Sequence, residues 1–278
     1  MKNMAFLFVF CFLSLSALAE TLSDRVHSVV RSSAGLLVRF EHGRVGFASG
    51  PLAEVLSHQT GSDLSVELDE RHEIRQILRL SEKKASYEVY LKGLDAEEPP
   101  AFQPTVISLE KVNEIYQHMN PNFKRLSECS DRAHVWAWDE FKRSGTKSRK
   151  AFIFFTASYI NRVRFKWWFH VAPMFDVATG DGVRPVITDV MYKDRPVSLK
   201  EWSNMMVFSG RDCKMTTKFS EYDVNPQTED CYMIIESMYY RIPGDLSEQE
   251  IRGTYRSEWI ESEVSAARSR AFNVGRIQ

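Results

Sequence analysis

Residues 129–144 read CSDRAHVWAWDEFKRS and are followed by Gly145, and this stretch predicts the helix around which the fold is organised. Its apolar residues recur at the spacing of one helix face: Cys129, Ala133, Trp136, Ala137 and Phe141. We expect the helix to begin near Ser127 and to end at about Ser144, with Gly145 as the stop signal. The spacing therefore places Cys129 on the inward face, in the first helical turn.

A thiol in the first turn of a helix has a physical reason to be reactive. Unpaired backbone N–H groups and the positive end of the helix dipole favour the thiolate over the thiol. The same amides are suited to hold an oxyanion. A lone cysteine among apolar residues is also commonly a small core residue, so both interpretations of Cys129 stay open at this point.

The N-terminus has the three parts of a secretory signal peptide. Lys2 precedes an apolar run over residues 4–15, and the small residues Ala17 and Ala19 follow it. A membrane anchor is disfavoured because the run is too short to span about 30 Å of hydrocarbon. We predict cleavage after Ala19 and a secreted or periplasmic mature protein.

The cysteine count singles out one thiol. Loss of the signal peptide would remove Cys11 and leave three cysteines, and an odd number in an oxidising compartment suggests one disulfide and one free thiol. Cys213 and Cys231 enclose a short polar loop and are the predicted pair. Cys129 is then the free cysteine.

Charge and composition exclude several kinds of partner. Lys and Arg together number 36 against 37 for Asp and Glu, so a net charge of -1 gives no overall field towards nucleic acid or an anionic membrane. The apolar fraction of 44% is ordinary for a globular protein, which needs no metal to fold. We expect a soluble monomer without nucleic-acid or membrane partners, and without a metal or organic cofactor.

The region before residue 105 differs from the rest of the chain in its pattern of apolar and polar residues. Alternating runs at 36–40, 65–68 and 87–91 predict a small sheet-rich unit with one helix near residues 24–32. Residues 95–104 contain three prolines and three acids, which is typical of a linker. We therefore predict a signal peptide at 1–19, an N-terminal unit with a proline-rich linker at 20–104, and a second domain at 105–278.

The sequence of the second domain predicts a mixture of helices and strands. Ser108 is a candidate cap for a helix with Leu109, Val112, Ile115 and Met119 on one face. Strands are predicted at 150–155, 159–176, 183–192 and 231–242, with a hairpin turn at 178–182 and a helix at 257–272. The expected fold class is α+β, with an antiparallel sheet packed against helices.

A histidine and an aspartate in the predicted hairpin are candidate partners of the thiol. His170 lies within an apolar strand, where a buried polar ring needs a partner, although a structural histidine bonded to backbone remains an alternative. A turn centred near Gly180 places Asp189 opposite or diagonal to His170, within about 5 Å. The carboxylate would then orient the imidazole. His134 is nearer to Cys129 in sequence but points about 140° away around the helix.

Such an arrangement is typical of papain-like and transglutaminase-like thiol enzymes, which place the thiol at a helix N-terminus. The residues also resemble the protein glutaminases, secreted bacterial enzymes that deamidate glutamine side chains within proteins. Cys129-Ser130-Asp131-Arg132-Ala133-His134 is similar to their Cys-x-x-Arg-Ala-His motif, and His170-Val171-Ala172 and Ile187-Thr188-Asp189 are similar to two further motifs. Tyr239-Tyr240-Arg241-Ile242-Pro243 is similar to another family run, so the resemblance covers about residues 108–243.

The resemblance implies a function and a mode of regulation. Cys129 would be the nucleophile, His170 the base and Asp189 the residue that orients it, acting on proteins with exposed glutamine. Residues 20–104 would be a pro-region that covers the site until proteolysis, with a permanent accessory domain as the alternative. The sequence departs from the family at Val190, where the family has proline, in the bulk of Trp167 and Trp168, and in having fewer cysteines.

Several alternatives remain open from the sequence. A transglutaminase shares the chemistry up to the thioester, a cysteine peptidase would cut the backbone, and a non-catalytic binding protein would use Cys129 and His170 as core residues. Trp167, Trp168 and Tyr192 are candidates for a slot that holds the glutamine side chain, or else core residues. A basic cluster is interpreted as a solvated loop, or as a processing or docking patch: Lys142, Arg143, Lys147, Arg149 and Lys150.

Overall fold

The computed structural model describes residues 19–32, 35–81, 102–125, 127–253 and 256–273. Almost all of the predicted signal peptide lies outside these ranges, as do the predicted strand at 87–91 and residues 95–101 of the predicted linker. Within the described ranges, no helix combines the length and the apolar character needed to cross a membrane.

The described residues form two sheets and seven helices, which make a mixed α/β fold. The elements before residue 105 are β1 (Glu20–Ser32), β2 (Gly35–Phe40), β3 (Val45–Ala48), α1 (Gly50–Leu56), β4 (Asp63–Leu68) and β5 (Ile74–Leu80). They are followed by β6 (Val106–Ile107), α2 (Leu109–His118), α3 (Cys129–Ser144), β7 (Arg149–Phe155), α4 (Ala157–Val163), β8 (Phe169–Thr179) and β9 (Gly182–Ile187). The last elements are β10 (Val197–Ser198), α5 (Leu199–Asn204), β11 (Lys214–Met215), a 3₁₀ turn (Phe219–Glu221), β12 (Cys231–Ser237), α6 (Pro243–Arg252) and α7 (Glu261–Ala271).

The N-terminal unit, residues 19–81, is a five-stranded sheet in the order β3-β2-β1-β4-β5. The helix expected near residues 24–32 is wrong, because these residues belong to the long strand β1. The second half of β1 pairs with β2 and its first half pairs with β4, so both edges of the strand are used. Val26, Val29 and Val30 are β-branched and suit such a strand. The sequence analysis did not identify α1.

The second sheet has the order β10-β9-β8-β7-β12-β11, and β6 pairs with β8. Its central strands are antiparallel, whereas β6 and β11 pair in parallel. The prediction of one strand over 159–176 is wrong in its first half, where α4 forms. The hydroxyl of Thr156 caps α4 by accepting a hydrogen bond from the backbone of Tyr159, and Arg164 ends it in the left-handed conformation. Three other predicted ends shift: β9 stops at Ile187, β12 stops at Ser237, and α7 begins at Glu261.

The two helices predicted from periodicity are confirmed. Ser108 caps α2 by accepting a hydrogen bond from the backbone of Lys111 at 3.2 Å. α3 ends at Ser144, and Gly145 follows it with a φ of 73°, which favours glycine. α3 packs on β8 and on α7. It is this packing that brings the start of α3 against the middle of the sheet.

Two sequence-based expectations about side chains have different outcomes. Cys213 and Cys231 form the predicted disulfide, and Cys129 is the free cysteine of the described residues. The interpretation of the basic cluster as a solvated loop is wrong for Lys150, which is fully buried in β7. Its ammonium group lies 2.7 Å from the ring of His134 and donates to the carbonyl of Tyr240 at 2.6 Å.

The N-terminal unit docks on the second sheet through backbone and side-chain contacts. The backbone N–H of Trp168 donates to the carbonyl of Gly43 at 2.8 Å, and the backbone N–H of Val45 donates to the carbonyl of Lys166 at 3.1 Å. Gly43 has a φ of 105°, and a Cβ at this position would lie 3.0 Å from the ring of Phe169. The close approach of the two backbones therefore needs a glycine here.

Candidate active site

Cys129 is the first residue of α3 and is 2% exposed. It belongs to a buried apolar cluster that also contains Leu37, Val45 and Phe47 of the N-terminal unit. The thiol therefore sits at a helix N-terminus, as the sequence predicted, in a cluster to which both parts of the chain contribute. The placement gives the thiolate the benefit of the helix dipole.

His170 lies on β8 between the thiol and a carboxylate. Its Nε2 is 2.7 Å from Oδ2 of Asp189, and the thiol of Cys129 is near enough to the ring to influence its pKa. Since Nε2 faces the carboxylate, Nδ1 is the ring nitrogen left for the thiol. The structure thus brings the three predicted residues together in the order Cys129, His170, Asp189.

Asp189 is held by more than the histidine. The indole N–H of Trp202 donates to Oδ2 at 3.0 Å, and the backbone N–H of Met191 donates to Oδ1 at 3.3 Å. β9 ends two residues before Asp189, so the carboxylate reaches His170 from the turn after the strand rather than from a ladder position. The predicted closeness is right, but its origin in continuous strand pairing is wrong.

The charges of the site favour a protonated imidazole. Burial lowers the pKa of His170, but the charges of Cys129 and Asp189 and hydrogen bonds to both raise it to about 9. Burial raises the pKa of Asp189. The charge of His170 and the hydrogen bonds from His170 and Trp202 outweigh burial and lower this pKa. The aspartate therefore stays ionised at neutral pH and holds a proton on the histidine.

Arg132 connects the chain segments that carry Cys129 and Asp189. It is 2% exposed and donates to the carbonyl of Ser127 and to the Ser127 hydroxyl, the latter at 2.9 Å. Its other amino group lies 3.0 Å from the sulfur of Met191, in the turn after Asp189. The arginine of the Cys-x-x-Arg-Ala-His motif thus fixes the approach to α3 against the turn that holds the carboxylate.

The three aromatic candidates for a substrate slot occupy different places. The ring of Tyr192 lies edge-on to His170 with the centroids 4.9 Å apart. Trp167 is half-buried beneath the guanidinium of Arg44, which is 5.1 Å from its ring. Trp168 is fully buried; its indole N–H donates to the carbonyl of Phe40 at 2.7 Å, and its ring stacks on His27. Both tryptophans thus face the N-terminal unit, and only Tyr192 contacts the histidine of the site.

Sequence reasoning missed two residues of the site. Trp202 gave no signal beyond its aromatic character, because its distance from Asp189 depends on the short helix α5. Glu128 precedes Cys129 and is the N-cap residue of α3, but its side chain makes no capping hydrogen bond. Its Oε2 is buried without a hydrogen-bond partner in the described part of the chain.

The arrangement can deliver a thiolate to an electrophilic carbon and a proton to a leaving group. The backbone N–H groups of the first turn of α3 lie next to the thiol and suit a developing oxyanion. Within the described ranges, no group of three or more His, Cys, Asp or Glu side chains is arranged to hold a metal ion.

Comparison with known proteins agrees with this geometry. A model of the Gln_deamidase_2 family, described as Glutaminase, matches residues 108–206, a range that contains Cys129, His170 and Asp189. Among curated protein sequences, none matches the chain. The resemblance to protein glutaminases inferred from the motifs is confirmed by the family match and by the fold described next.

Three solved structures are similar in fold. A crystal structure of pro-protein-glutaminase is 12% identical, with a TM-score of 0.50, and the match covers 81% of this chain and 84% of that chain. A mutant of pro-protein-glutaminase is 12% identical with a TM-score of 0.48, over 81% and 85% of the two chains. The NMR structure of protein-glutaminase from Chryseobacterium proteolyticum is 13% identical with a TM-score of 0.37, over 58% and 84%. The first of these matches shows the shared fold.

Proposed function

We propose that this chain is a thiol amidohydrolase that converts glutamine side chains of proteins to glutamate and releases ammonia. The observation that carries the proposal is the grouping of Cys129, at the N-terminus of α3, with the hydrogen-bonded pair His170 and Asp189. The glutaminase family match over the same residues supports the choice of glutamine as the substrate. No metal or organic cofactor takes part in the proposed reaction.

The proposed reaction has two halves. With the thiol proton already on His170, the sulfur of Cys129 bonds to the carboxamide carbon as a thiolate, and backbone N–H groups of the first turn of α3 hold the oxyanion. The C–N bond then breaks, and His170 gives its proton to the departing ammonia, leaving a thioester. Water next attacks the thioester and gives a proton to His170. The sulfur of Cys129 leaves as a thiolate, which releases glutamate and restores the thiolate and the protonated His170.

We propose that residues 20–104 act as a pro-region rather than as a permanent accessory domain. Supporting this, the N-terminal unit contributes Leu37, Val45 and Phe47 to the cluster that encloses Cys129, which is 2% exposed. A protein substrate has no path to a thiol buried in this way. Cleavage between residues 82 and 101, followed by release of the N-terminal unit, would open the site.

We also propose that the enzyme is exported from the cell. The signal-peptide pattern at residues 1–19 favours a secreted or periplasmic enzyme, where a disulfide between Cys213 and Cys231 is stable. A monomer that acts on proteins with exposed glutamine fits this assignment.

Ammonia release tests the reaction. The full chain, and the chain cut between residues 82 and 101, are each incubated with casein. We expect ammonia from the cut chain, little from the uncut chain, and none from cut Cys129→Ala. Cut Cys213→Ser/Cys231→Ser serves as a control that lacks two other cysteines but keeps the nucleophile. Undiminished ammonia release by Cys129→Ala would contradict the assignment of the nucleophile.

A labelled primary amine separates hydrolysis from transfer. Incorporation of the amine into casein would indicate a transglutaminase, whereas ammonia release without incorporation indicates a hydrolase. New casein fragments would indicate a cysteine peptidase. A non-catalytic binding protein would show an inert thiol after cutting, which alkylation by iodoacetamide at mildly acidic pH detects, because only a thiol with a lowered pKa reacts there.

A further inference from the structure

The buried carboxyl of Glu128 is the polar group next to the thiol that the proposed mechanism leaves unused. Glu128 is the N-cap residue of α3, yet its side chain does not cap the helix. Its Oε2 is buried and has no hydrogen-bond partner in the described ranges. An unpaired buried carboxyl oxygen is costly and needs a reason.

The pKa of this carboxyl reflects its surroundings. Burial raises its pKa well above the ordinary value, and the charge of Cys129 acts in the same direction. The next influences come from Arg44, which lowers the pKa, and Asp24, which raises it, and both belong to the N-terminal unit. Because Glu128 directly precedes Cys129, its carboxyl and the thiol belong to the same end of α3.

Neither charged neighbour in the N-terminal unit pairs with Glu128. Arg44 forms its ion pair with Glu20 at 2.8 Å, and Asp24 accepts from the backbone and the ring of His42 at 3.0 and 2.8 Å. Within the described ranges, Oε2 thus stays an unpaired acceptor at the end of α3 that carries the thiol.

We propose that Glu128 is a specificity-determining residue whose Oε2 accepts a hydrogen bond from the NH₂ group of the substrate carboxamide. This inference rests on the proposed function, since it assigns the recognition of the group that the thiol attacks. A carboxamide has the N–H donors that Oε2 lacks, whereas the carboxylate of the product has none. A glutamate product would also be repelled by an ionised Glu128.

Charge adds to this discrimination, because an ionised carboxylate accepts a stronger hydrogen bond than a neutral group does.

Two alkylating reagents of similar size test the proposal on the thiol itself. Iodoacetamide carries a carboxamide and iodoacetate carries a carboxylate, and both transfer to Cys129 with loss of iodide. In the full chain cut between residues 82 and 101, with both fragments retained, mass spectrometry of the peptide carrying Cys129 gives the two rates. Glu128→Gln keeps the size of the side chain, and Glu110→Gln is the control, because Glu110 is exposed on α2.

We expect the ratio of the iodoacetamide rate to the iodoacetate rate to fall about tenfold in Glu128→Gln and to stay at the wild-type value in Glu110→Gln. We also expect kcat/KM for casein glutamine to fall about tenfold in Glu128→Ala. Unchanged values of both quantities in the Glu128 variants, in a wild-type chain that releases ammonia, would overturn the role of Glu128 and leave the proposed function intact. A wild-type chain that releases no ammonia but shows the change of ratio would overturn the proposed function and keep the carboxamide recognition.

Discussion

At the scale of single residues, the pairing of His170 with Asp189 decides which proton the site can move. The buried carboxylate accepts from the imidazole and from Trp202, and it keeps the pKa of His170 raised to about 9. A histidine that stays protonated at neutral pH stabilises a neighbouring thiolate and has a proton to give to ammonia. The three residues therefore form one titrating system rather than three independent groups.

Replacing the carboxylate tests this coupling. With a raised pKa, the imidazolium persists up to about pH 9 and is lost above it, so activity should decline on the alkaline side there. Asp189→Asn removes the negative charge, which lowers the pKa of His170 and moves the alkaline decline to lower pH. We also expect activity to fall on the order of a hundredfold or more, because the orienting acceptor is lost. The measurement is the pH profile of ammonia release by the cut chain.

Asp181→Asn is the matched control for this prediction. Asp181 lies in the exposed turn of the same hairpin and pairs with Thr179 and Arg184. Its replacement should leave the pH profile of the wild type unchanged. An Asp189→Asn profile that declines at the same pH as the wild type would contradict the coupling.

At the scale of elements, the disulfide between Cys213 and Cys231 closes a loop that contacts both the second sheet and the N-terminal unit. Cys231 begins β12, and the loop back to Cys213 carries Tyr222, whose hydroxyl donates to the carbonyl of Phe155 at 2.7 Å. The guanidinium of Arg39, in the N-terminal unit, donates to the same hydroxyl at 3.1 Å. The disulfide therefore holds a residue that joins the two parts of the chain.

Removing the disulfide should destabilise the protein. Closing a loop with a sequence separation of 18 residues restricts the unfolded chain, so Cys213→Ser/Cys231→Ser should lose about 3 kcal/mol of unfolding free energy. Urea unfolding of the variant and the wild type under oxidising conditions measures the loss. Equal midpoints with equal slopes would show that the loop is held without the disulfide.

How far the sequence alone predicted the elements depended on the range of the interactions involved. α2 and α3 were predicted with their caps because Ser108, Gly145 and the apolar stripes act within the helices themselves. β1 was mistaken for a helix because its pairing partners, β2 and β4, lie elsewhere in the chain. The first half of the predicted strand at 159–176 is α4, since the cap at Thr156 outweighed the aromatic composition that follows.

The site shows the same division between local and long-range information. The order and spacing of Cys129, His170 and Asp189 were readable through motifs and a predicted hairpin. The contribution of Trp202 was not, because α5 reaches Asp189 only through tertiary packing. Glu128 was not identified either, since the burial of its unpaired oxygen depends on tertiary packing.

At the scale of the whole molecule, a stack of charged and aromatic side chains joins the N-terminal unit to the rest. His27 and Trp168 stack with centroids 4.5 Å apart, and the guanidinium of Arg39 lies 4.7 Å from the same indole. Burial first, and then the charge of Arg39, lower the pKa of His27 to about 4, against the opposing charge of Asp24. Docking of the two parts therefore favours a neutral His27.

Acidification should weaken this docking. Because the pKa of His27 falls from 6.5 to about 4 in the docked chain, its contribution is fully present above 6.5 and is lost as the pH falls towards 4. Thiol–disulfide exchange of Cys129 with 4,4′-dithiodipyridine in the full chain, which forms a mixed disulfide and releases 4-thiopyridone, is measured between about pH 7 and about pH 4 and reports the opening. We expect the rate to rise at the acid end in the wild type.

His27→Phe keeps an aromatic ring on Trp168 without a titrating group, so it isolates this contribution. The comparison is needed because Glu128, with its raised pKa, titrates in the opposite sense and favours docking at low pH. The acid increase of the exchange rate should be smaller in His27→Phe than in the wild type. An identical increase in both chains would show that His27 does not control the docking.

Conversion of glutamine to glutamate in an intact protein is the most direct test of the proposed function. Casein treated with the cut chain is digested and its peptides are examined by mass spectrometry for a gain of about one dalton, the change that hydrolysis of a carboxamide produces. We predict this gain at glutamine and not at asparagine, with the backbone uncut, and its absence with cut Cys129→Ala. The same gain with Cys129→Ala, or no gain with the cut wild-type chain, would contradict the assignment of this chain as a protein-glutamine amidohydrolase.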